Sequence, residues 1–279
     1  MGYEVSELLK GMRSLPVAPQ IVPRLQALLS NLDSDNNELA ATIRLDAGLA
    51  ARVLKASNSA FHARGSAVAS IEDALQTLGY QETFRIVAQS SFGPFFNRPL
   101  EIYHLESGLL WDVSLITASA LEQLCRSSTT DPNTGYVVGL LHAVGRVPIN
   151  DFVLQMDFRP MPDLSNPANS VRLEIALLGH NFGEVGSALL RSWGFPAVIT
   201  EVIAHQCTPA LAGDHADLTS RLHLASSWVE ELYARSAGVS IPRQAVDAAG
   251  LHDLGLKEDQ VREIKNTAYQ SWQAARKGI

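Results

Sequence analysis

Apolar positions recur at helical spacing along most of the chain, and no run shows the strict alternation of a half-buried strand. In "LPVAPQIVPRLQALLSNL", Leu25, Leu28, Leu29 and Leu32 share one face, and Pro16, Pro19 and Pro23 crowd the start, where proline is tolerated. In "DSDNNELAATIRLDAGLAARVLKASNSAF", Asp33, Ser34 and Asp35 are candidate N-caps. Leu39, Ile43, Leu49, Val53 and Leu54 supply its apolar face, and Gly48 predicts a break between two helices. "SIEDALQTLG" carries its own punctuation: Ser70 caps, Asp73 sits three residues on, and Gly79 closes the helix. Gly93, Pro94 and Pro99 in "SSFGPFFNRP" predict a second break. It divides the chain into an N-terminal helical lobe, residues 1–98, and a second lobe, residues 99–279.

The second lobe continues in the same style. "LLWDVSLITASALEQLCRS" predicts a long amphipathic helix, and "SSTTDPNTG" a loop. "YVVGLLHAVGRVPINDFVL" predicts a buried segment, and "RPMPDLSNPANS" another loop. Gly194 and Pro196 separate two further helices, and "LTSRLHLASSWVEELYARS" and "KEDQVREIKNTAYQSWQAARK" predict two more. The expected class is all-α. Trp111 and Trp193 are expected in the core, and Asn58 is expected to fix a helix end or a buried turn with its amide.

Charge narrows the partners. The net charge is −7 and the 22 basic residues are scattered. This disfavours nucleic acid, whose affinity comes from phosphate neutralisation, and an anionic membrane surface. The opening "MGYEVSELLKGMRSLP" lacks a long apolar region and is not read as a secretory signal, and no apolar run is read as approaching the roughly 18 residues of a spanning helix. "MGYEVS" matches the loose myristoylation pattern without the basic patch that a second membrane signal would need. The expectation is a cytoplasmic protein. Cys125 and Cys207 stand outside any CxxC and read as reduced, packed thiols.

Eight histidines are spread along the chain and form no local metal-binding pair. Taken in order, however, several stretches resemble the HDOD domain, a branch of the HD superfamily of helical phosphohydrolases. "LPVAPQIVPRLQALL" is similar to the family's opening. Asp46, Leu49 and Asn58-Ser59-Ala60 are similar to its signature, with Ala47 where proline is usual. "SIEDALQTLG", "GLLHAVGRV", "GHNFGEVGSALLRSWGFP" and "VIAHQ" follow in family order.

The resemblance implies a two-lobed HD-type helical bundle whose active members hold divalent ions with histidines and aspartates. The ions lower the pKa of a bound water and clamp phosphate oxygens. Matched position by position, the first histidine falls on Val113, the central pair on His142 and Ala143, and the next histidine on His180. A paired-histidine segment gives His205 and then Gln206, and the last aspartate falls on Ser226. Three imidazoles remain as a vestigial metal set, His142, His180 and His205, and both carboxylates are gone. No cofactor is expected; three converging histidines can hold zinc, so a divalent ion is the alternative. Asp112, Glu174 and Glu184 are the nearby acids. Glu184 lies four residues after His180, a same-face spacing on a helix. A literal His252-Asp253 is followed by no further histidine. It reads as a turn before a last helix whose first turn holds Glu258 and Asp259.

The expected function is a non-enzymatic signalling or regulatory module of the kind found in bacterial signal transduction. It would act by binding a signalling protein or a nucleotide-like small ligand. The alternative is a divergent metal-dependent phosphohydrolase using His142, His180 and His205.

Overall fold

Several helices in this protein start where a side chain satisfies the open backbone N–H groups of the first turn, as at Asp46, Asp131 and Asn181. The computed structural model describes residues 2–12, 36–59, 68–156, 158, 160–236 and 254–277. The opening "LPVAPQIV" helix, the candidate caps Asp33 to Asp35 and the His252-Asp253 pair lie outside them. Twelve α-helices lie among the described residues, joined by short 3-10 turns and loops, with no strand beyond one isolated bridge between Leu100 and Leu105. The expected all-α class is what is found.

The chain divides into two compact units: Pro16–Phe95, and Met1–Leu15 together with Phe96–Ile279. Residues 1–15, grouped with the first lobe in the 1–98 division, cluster with the larger unit.

The smaller unit contains α2 (Asn36–Arg44), α3 (Ala47–Ser57) and most of α4 (Ile71–Phe96). Asp46, not Gly48, makes the break between α2 and α3. Its carboxylate accepts the Leu49 N–H at 3.0 Å, and Gly48 lies inside the first turn of α3. Leu39, Ile43, Leu49 and Val53 are buried as their spacing predicts, and Leu54 is half-buried. Asn58 closes α3 with both halves of its amide. Its Nδ2 donates to Leu54 O and Val68 O, and its Oδ1 accepts Val68 N–H at 2.8 Å. Ser70 Oγ accepts the Asp73 N–H at 3.0 Å, the expected cap.

The break expected in "SSFGPFFNRP" is found: α4 ends at Phe96, and Pro99 lies beyond it. Pro94 lies inside the helix, two residues from its end, and leaves the carbonyl four residues before it without its helical N–H partner. The kink is at Gly79, whose φ of 74° and ψ of 168° only glycine adopts without strain. Gly79 does end the first segment, but the helix restarts at once and Thr83 Oγ1 donates to Gly79 O at 2.8 Å.

The larger unit is built around α5 (Leu109–Cys125), which is buried along almost its whole length. Against it lie α6 (Pro132–Leu141), α11 (Ala216–Ser236) and α12 (Glu258–Lys277). Asp131 caps α6 through the Thr134 N–H, and Pro132 holds its first position. Then come α7 (Arg146–Gln155), α8 (Pro167–Leu178), α9 (Phe182–Ser192) and α10 (Ala197–His205). A short helix, α1 (Val5–Lys10), packs on α7 and α9. Trp111 and Trp193 are buried as expected, and Trp111 stacks at a tilt on Phe96, with ring centroids 6.0 Å apart.

At Gly139, Gly145 and Gly183 of this unit, backbone packs directly against backbone. A Cβ on Gly139 of α6 would stand 2.6 Å from Ala118 Cα of α5. One on Gly145 would stand 2.0 Å from Phe182 O and 2.5 Å from Gly186 N of α9. One on Gly183 of α9 would meet Ile203 O of α10 at 2.6 Å.

The reading that no apolar run approaches spanning length needs correction. Among the described residues, Pro132–Gln155 is long and apolar enough by composition, with a mean hydropathy of 1.4. It is broken by the turn at residues 142–145, and 94% of its apolar window is buried within the protein.

Two outcomes follow. Gly145→Ala forces a methyl into backbone atoms that no side-chain rotation can clear. It should cost about 3 kcal/mol or more, read from urea unfolding, and a loss within experimental error would contradict the packing. Cys125 is buried, and its thiol is pushed up to about 12, chiefly by burial. A thiol reagent should therefore titrate half-buried Cys207 in the native protein and reach Cys125 only on unfolding.

Candidate functional site

His142 stands at the end of α6, where the chain turns through residues 142–145 into α7. Its side chain is only 2% exposed. Ring Nδ1 lies 2.7 Å from Gly139 O, and a carbonyl can only accept, so Nδ1 carries the proton. Burial, aided by the nearby Arg146 charge and opposed by the Gly139 bond, brings the imidazole down to about 4. It is neutral at pH 7.

The neighbouring positions are apolar or structurally committed. Ala143 is fully buried and Val113 on α5 nearly so; a methyl and an isopropyl group can bear no metal bond. Ser226, half-buried on α11, donates to His223 O at 3.1 Å. Gln206, next to His205, is buried and holds the helix ends together. Its Nε2 donates to His142 O at 2.8 Å and to Ile203 O at 3.0 Å. Its own carbonyl faces His223 Nδ1 at 2.9 Å.

His180 and His205 are engaged elsewhere. His180 precedes α9, and its Nδ1 lies 3.6 Å from Glu184 Oε2. The two do not share a helix face as their spacing suggested, because α9 begins only at Phe182. They meet through a capping box, in which Asn181 Oδ1 accepts Gly183 and Glu184 N–H while Glu184 Oε2 accepts Asn181 N–H at 3.0 Å. His205 ends α10, 3.8 Å from Glu201. Among the described residues, no group of three or more His, Cys, Asp or Glu side chains is placed to hold a metal ion. The structure does not gather His142, His180 and His205 into such a set. The residues at the family's ligand positions do not fit a two-ion centre, and no chemistry is routed through one.

Sequence reasoning missed the polar cluster one turn away. Arg146 is nearly buried, its guanidinium 4.5 Å from the Phe182 ring centroid and 5.6 Å from that of Tyr103. Tyr103 O–H donates to Glu174 Oε1 at 3.0 Å, and Glu174 Oε2 accepts Phe182 N–H at 2.7 Å. Burial, with the Glu174 charge adding to it, holds the phenol protonated well above its ordinary value. Glu174 is thus no spare ligand: it starts α9. Asp151 is also fully buried, in an ion pair with Arg98. Beside it, Asn150 Oδ1 accepts Ile102 N–H and Asn150 Nδ2 donates to Glu101 Oε2. An arginine after "HAVG" and paired polar residues within "VPINDF" were the only hints in the sequence.

The all-helical fold, with a buried histidine at the turn between α6 and α7 and a second histidine just before the capped α9, agrees with the HD-type fold that the resemblance implies. The chain belongs to the HDOD domain family, whose model matches residues 15–209. Three solved structures share the fold. An HDOD domain protein of unknown function from Geobacter sulfurreducens is 22% identical with a TM-score of 0.71, covering 99% of this chain and 97% of that one. A protein from Shewanella amazonensis SB2B, provisionally assigned as a phosphohydrolase, is 22% identical with a TM-score of 0.68, covering 96% and 97%. A protein from Marinobacter aquaeolei VT8, provisionally assigned to signal transduction, is 22% identical with a TM-score of 0.71, covering 98% and 64%. No curated protein matches this chain.

The low His142 value makes stability depend on pH. The unfolded chain takes the proton near pH 6.5, and the folded chain only near 4. The contribution is whole above pH 6.5 and drains away as pH falls through about 4, amounting to about 3 kcal/mol. Urea unfolding of wild type and His142→Gln across this range should show a steeper acid loss in wild type; parallel profiles would refute the assignment.

Proposed function

We propose that this HDOD protein is a non-enzymatic signal-transduction module that acts by binding another protein. The observation that carries the reading is the occupancy of the ligand positions. Ala143 and Val113 are packed into the core, and Gln206 is spent on helix ends. Catalysis by metal-bound water needs open coordination positions and acids to balance the charge of the ion. The side chains here supply packing and neutral hydrogen bonds in their place. A nucleotide-like small ligand is the narrower variant of the same idea, and bacterial, cytoplasmic signalling is the proposed setting. Fold alone does not fix function.

The competing reading is a divergent phosphohydrolase that uses His142, His180 and His205 with a recruited acid. His180 and His205 each keep a carboxylate within 4 Å, Glu184 and Glu201, which is the observation in its favour. One experiment separates the two. Protein purified without a His-tag is assayed for bound metal and screened against phosphoesters and cyclic dinucleotides. The binding module should show sub-stoichiometric metal and no turnover, in wild type and His142→Ala alike. Stoichiometric metal with turnover that His142→Ala abolishes would overturn it.

A further inference from the structure

Ser114 and Thr117 of α5 are fully buried, and their hydroxyl oxygens meet no hydrogen-bond partner among the described residues. A buried serine or threonine in a helix can turn its hydroxyl back to a carbonyl of the preceding turn. Ser57, Thr83 and Thr219 do so here. Buried hydroxyls left outside such bonds are costly unless water or a ligand serves them.

The register of α5 on α6 shows what these two face. The helices run antiparallel: Gly135 meets Leu121 and Cys125, and one turn on, Gly139 meets Thr117 and Ala118. The next step carries α6 on to His142 and α5 back to Ser114, at the same level of the seam. Residues three apart share a helix face, so Ser114 and Thr117 line one side of α5, and His142 lies on that side of α6. The imidazole is folded back onto Gly139 O through Nδ1, at 2.7 Å. With the proton on Nδ1, Nε2 is a bare acceptor, and no donor among the described residues reaches it.

We propose that one water molecule is bound in the α5–α6 seam between His142 Nε2, Ser114 Oγ and Thr117 Oγ1. It donates one proton to Nε2 and the other to one hydroxyl, and it accepts the proton of the second hydroxyl. About three such bonds are usual for a buried water, whose partners are otherwise unsatisfied polar groups. Backbones that touch at Gly139 favour an occupant of that size over a larger ligand. The water gives the buried histidine of the family's metal set a neutral partner. The inference rests on the non-enzymatic reading and says what His142 binds in place of an ion.

The test is a high-resolution crystal structure of the full chain with its anomalous signal, beside the double variant Ser114→Ala/Thr117→Val. Wild type should show a solvent peak within about 3.2 Å of all three atoms, and the double variant should lose it. In solution, oxygen-17 relaxation dispersion of water should lose the amplitude of one long-lived molecule in the double variant. A solvent peak that survives the double variant overturns the site. A hydroxyl bonded directly to Nε2, with no solvent peak, overturns the water and leaves the non-enzymatic reading standing. An anomalous metal peak on Nε2 overturns both. If the double variant does not fold, Thr117→Val, which keeps the side chain's shape, should shorten the water's residence time, and unchanged dispersion overturns the site.

Discussion

The larger unit depends on places where two backbones touch with no side chain between them. Gly139 against Ala118, Gly145 against Phe182 and Gly186, and Gly183 against Ile203 join α5, α6, α7, α9 and α10 at separations only glycine permits. Such contacts leave little give, because a protein interior is packed like a crystal. They fix the turn at residues 142–145 between α6 and α7, and with it the burial of His142 and Ala143. The state of the imidazole follows. A ring held in an apolar wall, with Nδ1 on Gly139 O, is kept neutral by its surroundings.

Around that frame the polar groups hold the elements to one another. Gln206 joins the ends of α6 and α10, and Glu174 ties Tyr103 to the start of α9. The Asp151–Arg98 pair and Asn150 hold residues 98–102 against α7. Each is a buried polar group with partners, the condition under which burial is tolerable. The same groups would be costly if half-satisfied, so the cluster specifies one arrangement of these helices.

What was legible in the sequence was local. Ser70 with Asp73, and Asn58 at the end of α3, announce themselves within a few residues, because a cap and the backbone it satisfies are neighbours in the chain. The family order of "GLLHAVGRV" and "GHNFGEVG" was legible for a different reason, as a resemblance. The break in "SSFGPFFNRP" was legible because Pro99 cannot continue a helix and α4 ends three residues before it, at Phe96. The glycine at 79 that kinks α4 and the glycine at 145 that packs against α9 look alike as letters. Only the partner across the gap tells them apart. Tyr103–Glu174 and Gln206–His142 span 71 and 64 residues, and no periodicity reports a pairing at that distance.

The loss of the ligand positions is also structurally entrenched. A carboxylate restored at Ala143 alone would enter a fully buried site beside a neutral imidazole, and an unpaired buried charge costs on the order of several kcal/mol. A histidine restored at Gln206 would give up the amide that bonds both His142 O and Ile203 O, leaving two buried carbonyls without that donor. Either change alone moves downhill in stability before any metal could repay it. The Gln206 side chain at one of the family's ligand positions is part of what holds α6 and α10 together. A metal centre at these positions would therefore first have to give up packing and hydrogen bonds that the fold uses.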